Sequence, residues 1–585
     1  MNKKKALLLT LGHNSSALYT DGDQVVGYEQ ERLDTIKSSS QFPTDAIFEI
    51  AKYVGASNLT DIPVFISHWF DRVNGLDTDL KYIDEPVLLD LMRSGCSIQT
   101  HTPNFTHHDA HAWSALSFFK HYYKIEREKA DKALAKTKGT MHVIVADGFG
   151  NMQEVLSVYK VNEDKGDMEL VTRFYDYFNS LGLMYQYATS FVGMKENQDE
   201  YKFLGYESHI QDHFTQEQID FIDLSALDTA HYLTKFGNQS NIFPERDDSY
   251  IDVESLQKVK AKWWKQYQLM NDQLDIKDNT NDQSRTAIGY FIQKTIEIYM
   301  QDLIAKFNIE NVLLSGGLFY NVKLNNFIIK QVPGLVSVIP VTGDQGAAIG
   351  FYQKYVGDFN FTDLCYGKRK LDKEQFTKRN KNKTENIIHF DAKDKSDFIK
   401  FVSTEVAKGN IVNLVQGRLE YGPRALCNTS TLMLPLKKNA DFNNYLNKRN
   451  DFMPVCPVLI EDNMDFFFGN ELSDRVIGSD RFMVLTYDFK DNSLMDKYDG
   501  IMHKYPMENK YSGRPQKIVK GELMYDILLE IEKLSDYKAI INTSYNYHGT
   551  PINFSMKNAI DTFNLQLERI KNRKDTDTFL VFYNG

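Results

Sequence analysis

The stretch NVLLSGGLFYN, residues 311–321, is an apolar run that stops at a Gly-Gly pair. The run reads as a buried strand, and the glycines as a tight turn where backbone amides can approach an anion. Just upstream, SRTAIGYFIQKTIEIYMQDLIAKF (284–307) spaces its apolar residues by three and four, which predicts a long helix. Working outward, KALLLTL (5–11) and QVVGY (24–28), separated by a TDGD turn, read as a hairpin. Further strands are expected at 63–67, 142–146 and 155–160, and a helix at 109–136. Beyond residue 386, strands are expected at 387–391, 410–417 and 578–585, with a helix at 395–407. Helices and strands alternate along the chain, so the fold class is mixed α/β.

With 585 residues the chain exceeds one ordinary core, and its net charge of -11 gives no general drive towards nucleic acid or anionic membrane. The four cysteines form no CxxC pair, which argues for a reducing compartment and against zinc ribbons. The basic start MNKKKALLLTLG has too short an apolar run for a signal and reads as a first strand, and no run approaches a membrane span. A cytoplasmic protein without membrane contact is expected. The polar, Lys-rich texture of 359–386 marks a basic linker between a first domain, 1–358, and a second, 387–585.

Three more turns follow strands and carry glycine with an acid or small polar residue: TLGHNSSALYTDG (10–22), ADGFGN (146–151) and TGDQGAAIG (342–350). Together with SGGLFYN, such turns around one cleft are what an actin-like ATPase fold needs; a P-loop, a Rossmann GxGxxG and a GxSxG elbow are all absent. The segment HHDAH (107–111) puts His107 and His111 on one helical face, either as half of a metal site or as a polar helix start. In QGRLEYGPRALCNTS (416–430), Arg418 and Arg424 flank a Gly-Pro turn, and Arg449 and Arg514 follow. Guanidinium groups suit oxyanions, although surface salt bridges are the ordinary alternative. NTSYNYHGTPI (542–552) offers Asn542, Ser544 and Asn546 directly after a strand, suited to a carbonyl or phosphate.

In order along the chain, GHNSSA, EQERL with the later FP, HHDAH, ADG, SLGLMY, GGLFYNVKLN, GDQGAAIG, QGRLEYGPRAL, the stretch from Arg449 to Pro457, and NTSYNYHGTPI resemble the O-carbamoyltransferase family of nodulation-factor, cephamycin and tobramycin carbamoyltransferases. The resemblance implies an actin-like (ASKHA), threonylcarbamoyl-transferase-type domain followed by a YrdC-like domain. It implies that the second makes carbamoyl-adenylate from carbamoyl phosphate and ATP, with Mg2+, and that the first passes the carbamoyl group to an acceptor hydroxyl. His107, His111, Asp147 and Asp344 would then hold Fe2+ or another divalent metal. Gly316, Gly317, Asn321, Arg449, Arg514, Asn542, Ser544 and Asn546 would bind donor and nucleotide. Arg418 and Arg424 would serve catalysis, and His13 is the candidate base, since a neutral imidazole can take the hydroxyl proton.

The chain departs from the family pattern at Asn14 (usually Asp), Thr429 (usually Arg), Met453 (usually Arg) and Tyr206–His209. The acceptor is a sugar, nucleoside or other small metabolite; alternatives are a hydroxymethylated pyrimidine in DNA, and a non-catalytic actin-like nucleotide-binding regulator. A hydrogenase-maturation carbamoyltransferase would need zinc-finger cysteines that are missing. Lys368–Lys383 carries eight basic residues against two acids, a candidate DNA contact or a solvated linker. His209 and His213 (HIQDH) form a second i,i+4 pair, read as a solvated helix face. A homodimer is compatible with these features.

Overall fold

The computed structural model describes the chain except for residues 1–3, 69–71, 74–75, 78–84, 103, 138, 163–165, 237, 240–249, 252, 381–383, 450–454, 506–509 and 572–575. Met453 and Pro454 thus lie outside the described residues, as do Lys381 and Lys383.

The first sheet runs β3-β2-β1-β4-β5, with β1 Ala6–Thr10, β2 Ser16–Thr20, β3 Val25–Glu29, β4 Pro63–Ser67 and β5 Ser97–Gln99. The first three strands form an antiparallel meander, whereas β4 and β5 join in parallel. The expected hairpin between 5–11 and 24–28 is therefore corrected. SALYT supplies β2 between them, hidden in the sequence between two glycine turns.

A second sheet repeats this plan. β6 Met141–Ala146, β7 Glu154–Asn162 and β8 Asp167–Tyr175 form the meander, β9 Asn238–Gln239 extends its edge, and β10 Asn311–Ser315 and β11 Val336–Val338 add in parallel. Every residue of β6 and β10 is buried, as an apolar strand covered on both faces should be. Two sheets of one topology, built in tandem, make the N-terminal part actin-like.

The helix that begins at His107 and the helix that begins at Asp344 lie between these sheets. Helix α1, His107–Ile125, falls short of the expected end at residue 136: it stops at Glu126 and a separate short helix follows. Helix α2, Asp282–Phe307, closely matches its expectation; α3 is Val322–Gln331 and α4 is Asp344–Tyr355.

The C-terminal part is a seven-stranded mixed sheet in the order β12-β18-β13-β14-β17-β15-β16. Its strands are β12 Ile387–Asp391, β13 Ile411–Gln416, β14 Thr429–Met433, β15 Cys456–Ile460, β16 Gln516–Ile518, β17 Ile540–Ser544 and β18 Thr578–Asn584. Within the segment read as a linker, Phe359, Phe361, Leu364, Cys365, Tyr366 and Leu371 are buried. Arg369 donates to the carbonyls of Gln416 and Asn428 at 2.6 and 2.9 Å. Its place among them removes Arg369 from any phosphate track. No described helix is long and apolar enough to cross a membrane.

Helices α1 and α4 approach closely: a Cβ on Gly350 would fall 1.9 Å from the Ala110 carbonyl oxygen, on the turn between His107 and His111. Replacing Gly350 by Ala must push the two backbones apart. Overpacking of this kind costs about 1–3 kcal/mol, which should appear in denaturant unfolding as a lowered midpoint with an unchanged slope.

Candidate active site

Four side chains from three elements meet at the inner ends of the two N-terminal sheets. His107 and His111 come from the first turns of α1, Asp147 follows β6, and Asp344 opens α4. His107 Nε2 lies 3.1 Å from His111 Nε2, 3.2 Å from Asp147 Oδ2 and 3.4 Å from Asp344 Oδ1. His111 Nε2 lies 3.4 and 3.6 Å from the same two oxygens, and all four atoms fall within 4.8 Å of one another. Ligands about 2.1 Å from a cation stand about 3.0–3.4 Å apart, so the residues present fit a divalent ion. The second oxygen of Asp344 is buried without a hydrogen-bond partner among the described residues, an orphan that a cation would satisfy. Against the burial that would raise them, hydrogen bonds from His107 and His111 hold both carboxylates well below their usual range.

The local sequence builds this quartet step by step. Thr106 caps α1 in a capping box with Asp109, and Asn151 accepts from the His107 amide at 2.7 Å. Glu154 accepts from the His108 amide at 2.9 Å. Arg173 then ties the helix start down: it donates to Asp109 at 2.8 Å and to the Tyr159 hydroxyl at 2.7 Å, and pairs with Glu154 at 3.1 Å. Arg173 is invisible to sequence reading because nothing around it forms a motif. His108, the odd histidine of the trio, points away from the quartet and meets the Ser157 hydroxyl at 2.8 Å. His111 Nδ1 meets Ser315 Oγ at 3.2 Å, the kind of outer contact that fixes an imidazole.

The Gly-Gly turn completes the wall. Gly316 has φ +105°, and a Cβ there would fall 2.2 Å from the Ala146 carbonyl oxygen, so only glycine fits. Gly317 donates its amide to Asp147 at 3.3 Å. Asn321 is engaged as the cap of α3, accepting from Leu324 at 3.0 Å and donating to Gln293 at 2.7 Å.

A cavity of about 840 Å³ opens from the quartet's carboxylate side and reaches the C-terminal sheet. Asp147, Asp344, Gly317 and half-exposed His13 line it, and so do Arg424, Arg449, Arg514, Asn542, Ser544 and Asn546. His13 Nε2 stands 4.0 Å from Asp344 Oδ2. Arg449 grips the β17 end through the Thr543 hydroxyl and the Ser544 carbonyl, the latter at 2.8 Å. Arg514 directs Nε and Nη2 at Cys456 Sγ, 2.9 and 2.7 Å away. Burial, reinforced by Arg514, pushes the Arg424 guanidinium down to about 9, and burial alone pushes Arg449 down to about 10. Such desolvated cations favour an incoming anion. Sequence reading missed Tyr201 and Lys323, which also line the cavity.

Arg418 is the exception. It does not line the cavity; its Nη2 donates to the carbonyls of Val25 and Tyr366, the second at 2.7 Å. Its expected catalytic role is corrected to a structural one, because two buried carbonyls claim its donors. The HIQDH pair stays apart from the quartet, with exposed His209 bound to Asp212 at 3.0 Å. Asn14 sits at the cavity wall with φ 63°, a backbone conformation that asparagine tolerates.

Residues 135–351 match the family model described as Carbamoyltransferase N-terminus, and residues 403–570 match Carbamoyltransferase C-terminus. The chain belongs to the carbamoyltransferase family. It is similar to the uncharacterized protein MJ1051 of Methanocaldococcus jannaschii, 25% identical over 94% of this chain and 95% of that one. It is 29% identical to the 3'-hydroxymethylcephem-O-carbamoyltransferase of Amycolatopsis lactamdurans, over 25% of this chain and 26% of the relative. Among solved structures, the activator of 2-hydroxyisocaproyl-CoA dehydratase from Clostridium difficile aligns with a TM-score of 0.30 at 10% identity, over 60% of this chain and 94% of that chain. This carbamoyltransferase is thus an enzyme that transfers a carbamoyl group.

Because Ser315 is the outer partner of His111, Ser315→Ala should weaken divalent-metal binding by about 10–100-fold. Isothermal titration of the metal-free protein with Fe2+ under anaerobic conditions, and with Mn2+ and Zn2+, measures this directly.

Proposed function

We propose that the chain is an ATP-dependent O-carbamoyltransferase working in two steps within one cavity. In the first, water cleaves carbamoyl phosphate to carbamate and inorganic phosphate, and a carbamate oxygen then bonds the α-phosphorus of Mg2+-bound ATP as the bond to pyrophosphate breaks. In the second, an acceptor hydroxyl attacks the carbamoyl carbon, the bond to the adenylate oxygen breaks, and AMP departs. The supporting observation is the shared cavity: the arginines and the carboxylates of the metal quartet line one continuous space of about 840 Å³. A carbamoyl-adenylate formed beside the arginines then need not leave the cavity to meet the quartet.

The residues divide accordingly. Arg424, Arg449 and Arg514 offset the charge of two anions brought together, and the Ser544–Asn546 turn orients them. His13, beside Asp344, receives the proton of the acceptor hydroxyl. His107, His111, Asp147 and Asp344 would hold the divalent metal, and iron suits this mixed nitrogen and oxygen set, as manganese and zinc do. When bound, the metal supplies Lewis acidity towards a carbonyl or phosphate oxygen. A YrdC-like role for the C-terminal sheet, and the boundaries 1–358 and 387–585, belong to the same proposal. A small hydroxylated acceptor is favoured over DNA, since Arg369 of the basic segment is claimed by backbone carbonyls.

Supplying ATP and carbamoyl phosphate together should release pyrophosphate, whereas a nucleotide-binding regulator would release none. Arg424→Ala should slow this release by about 30- to 1000-fold, as loss of about 2–4 kcal/mol at a desolvated oxyanion predicts. His111→Ala should abolish metal binding and carbamoyl transfer while sparing pyrophosphate release. A screen of hydroxylated acceptors read by the mass gain of one carbamoyl group identifies the acceptor.

A further inference from the structure

The segment EQERL (29–33) reaches the cavity wall through Glu29, Glu31 and Arg32, and these three form a buried ion triad. Glu29 and Arg32 are 3% and 4% exposed, and Arg32 Nη2 meets Glu29 Oε2 at 2.7 Å while Nη1 pairs with Glu31. Burying such charges is costly, and a buried ion pair by itself contributes little to stability. The triad's remaining bonds show where it acts. Gly422 donates its amide to Glu29 Oε2 at 3.1 Å, and its carbonyl accepts from Arg32 Nη2 at 2.8 Å. One carboxylate and one guanidinium from the N-terminal part thus grip both polar groups of a single peptide residue, two positions before Arg424.

The grip is reinforced on either side. The Tyr421 hydroxyl lies 2.7 Å from Ser16 Oγ and donates to the Gln345 carbonyl at 2.8 Å, next to the metal ligand Asp344. Glu420 Oε1 accepts from the amides of Leu426, Asn428 and Thr429 at 3.0, 2.9 and 2.7 Å. Arg424 itself has little to hold its head group: its Nε is buried without a hydrogen-bond partner, and its guanidinium lies 6.0 Å from the Tyr320 ring centroid. Its placement is inherited from the backbone.

We propose that Glu29 and Arg32 are positioning residues for the donor pocket: by clamping Gly422 they fix the Arg424 guanidinium, so that adenylate formation in the C-terminal part depends on residues of the N-terminal part. This rests on the adenylation reading of the cavity. Glu29 and Arg32 also line the cavity, and the role assigned here is the one they exercise through Gly422. A displacement of about 1 Å in a charge-bearing group is enough to cost about 100-fold in rate.

The test uses the full chain with Glu29→Gln, which keeps the shape of the clamp but not its charge, and Arg32→Met. Pyrophosphate release should fall about 10- to 100-fold in kcat in both, with Mn2+ affinity of the quartet within about twofold of the unsubstituted protein. A role through Arg424 makes a sharper forecast. In an Arg424→Ala background the same substitutions should lower the rate no further, whereas a general structural defect would add its full effect. Where Arg32→Met fails to fold, Glu29→Gln carries the comparison. Undiminished release in folded Glu29→Gln, or an equal loss with and without Arg424, would overturn the proposal while leaving adenylation intact. No release from the unsubstituted chain would overturn adenylation and the clamp together.

Discussion

Two ionised carboxylates and two buried imidazoles are held within 4.8 Å of one another, and much of the N-terminal architecture exists to permit that. Like charges at such range repel strongly in a poorly hydrated interior. The imidazoles offset the repulsion in part, and a divalent cation would offset the remainder. The surrounding frame resists relaxation. The α1 start is tied by the Thr106 cap, by Asn151 and Glu154, and through Asp109 and Glu154 by Arg173. Gly350 lets α4 press onto α1 at backbone contact, which sets Asp344 against the two histidines. The doubled sheet plan gives this site its place, since both Asp147 and the Gly-Gly turn sit where parallel strands of the second sheet end.

The second constraint has the opposite sign. Arg424, Arg449 and Arg514 line the same cavity, and burial, reinforced by Arg514, pushes the Arg424 guanidinium down. A cluster of desolvated cations is poised for an anionic ligand, just as a cluster of acids and imidazoles is poised for a metal. One cavity lined by both the quartet's carboxylates and three arginines is what the proposed two-step reaction rests on. The clamp on Gly422 joins the N-terminal and C-terminal parts mechanically, and Tyr421 bridges from the arginine turn to the residue beside Asp344.

Several of these features are legible in the amino-acid sequence. The i,i+4 spacing of His107 and His111 places both on one face because a helical turn is 3.6 residues, and α1 has that register. Strand 387–391 and helix 395–407 are readable to the residue because apolar periodicity and turn residues agree there. β2 escapes such reading because five residues between two glycine turns resemble a loop, and only pairing with β1 and β3 makes them a strand. The extent of α1 is overestimated because helical periodicity continues across Glu126 even though the backbone turns there.

The sequence by itself determined the chemical kinds of donor available, their spacing within each element and the α/β alternation, since these follow from local periodicity and side-chain chemistry. Only the tertiary structure decided which donors meet. Asp147 and Asp344 stand nearly two hundred residues apart and converge because two β-α units of one topology face each other. Arg418 and Arg424 flank the same turn, yet one serves buried carbonyls and the other the cavity. The physical reason is that a guanidinium's direction is set by whichever unsatisfied oxygens the rest of the fold brings within reach, and those come from distant parts of the chain.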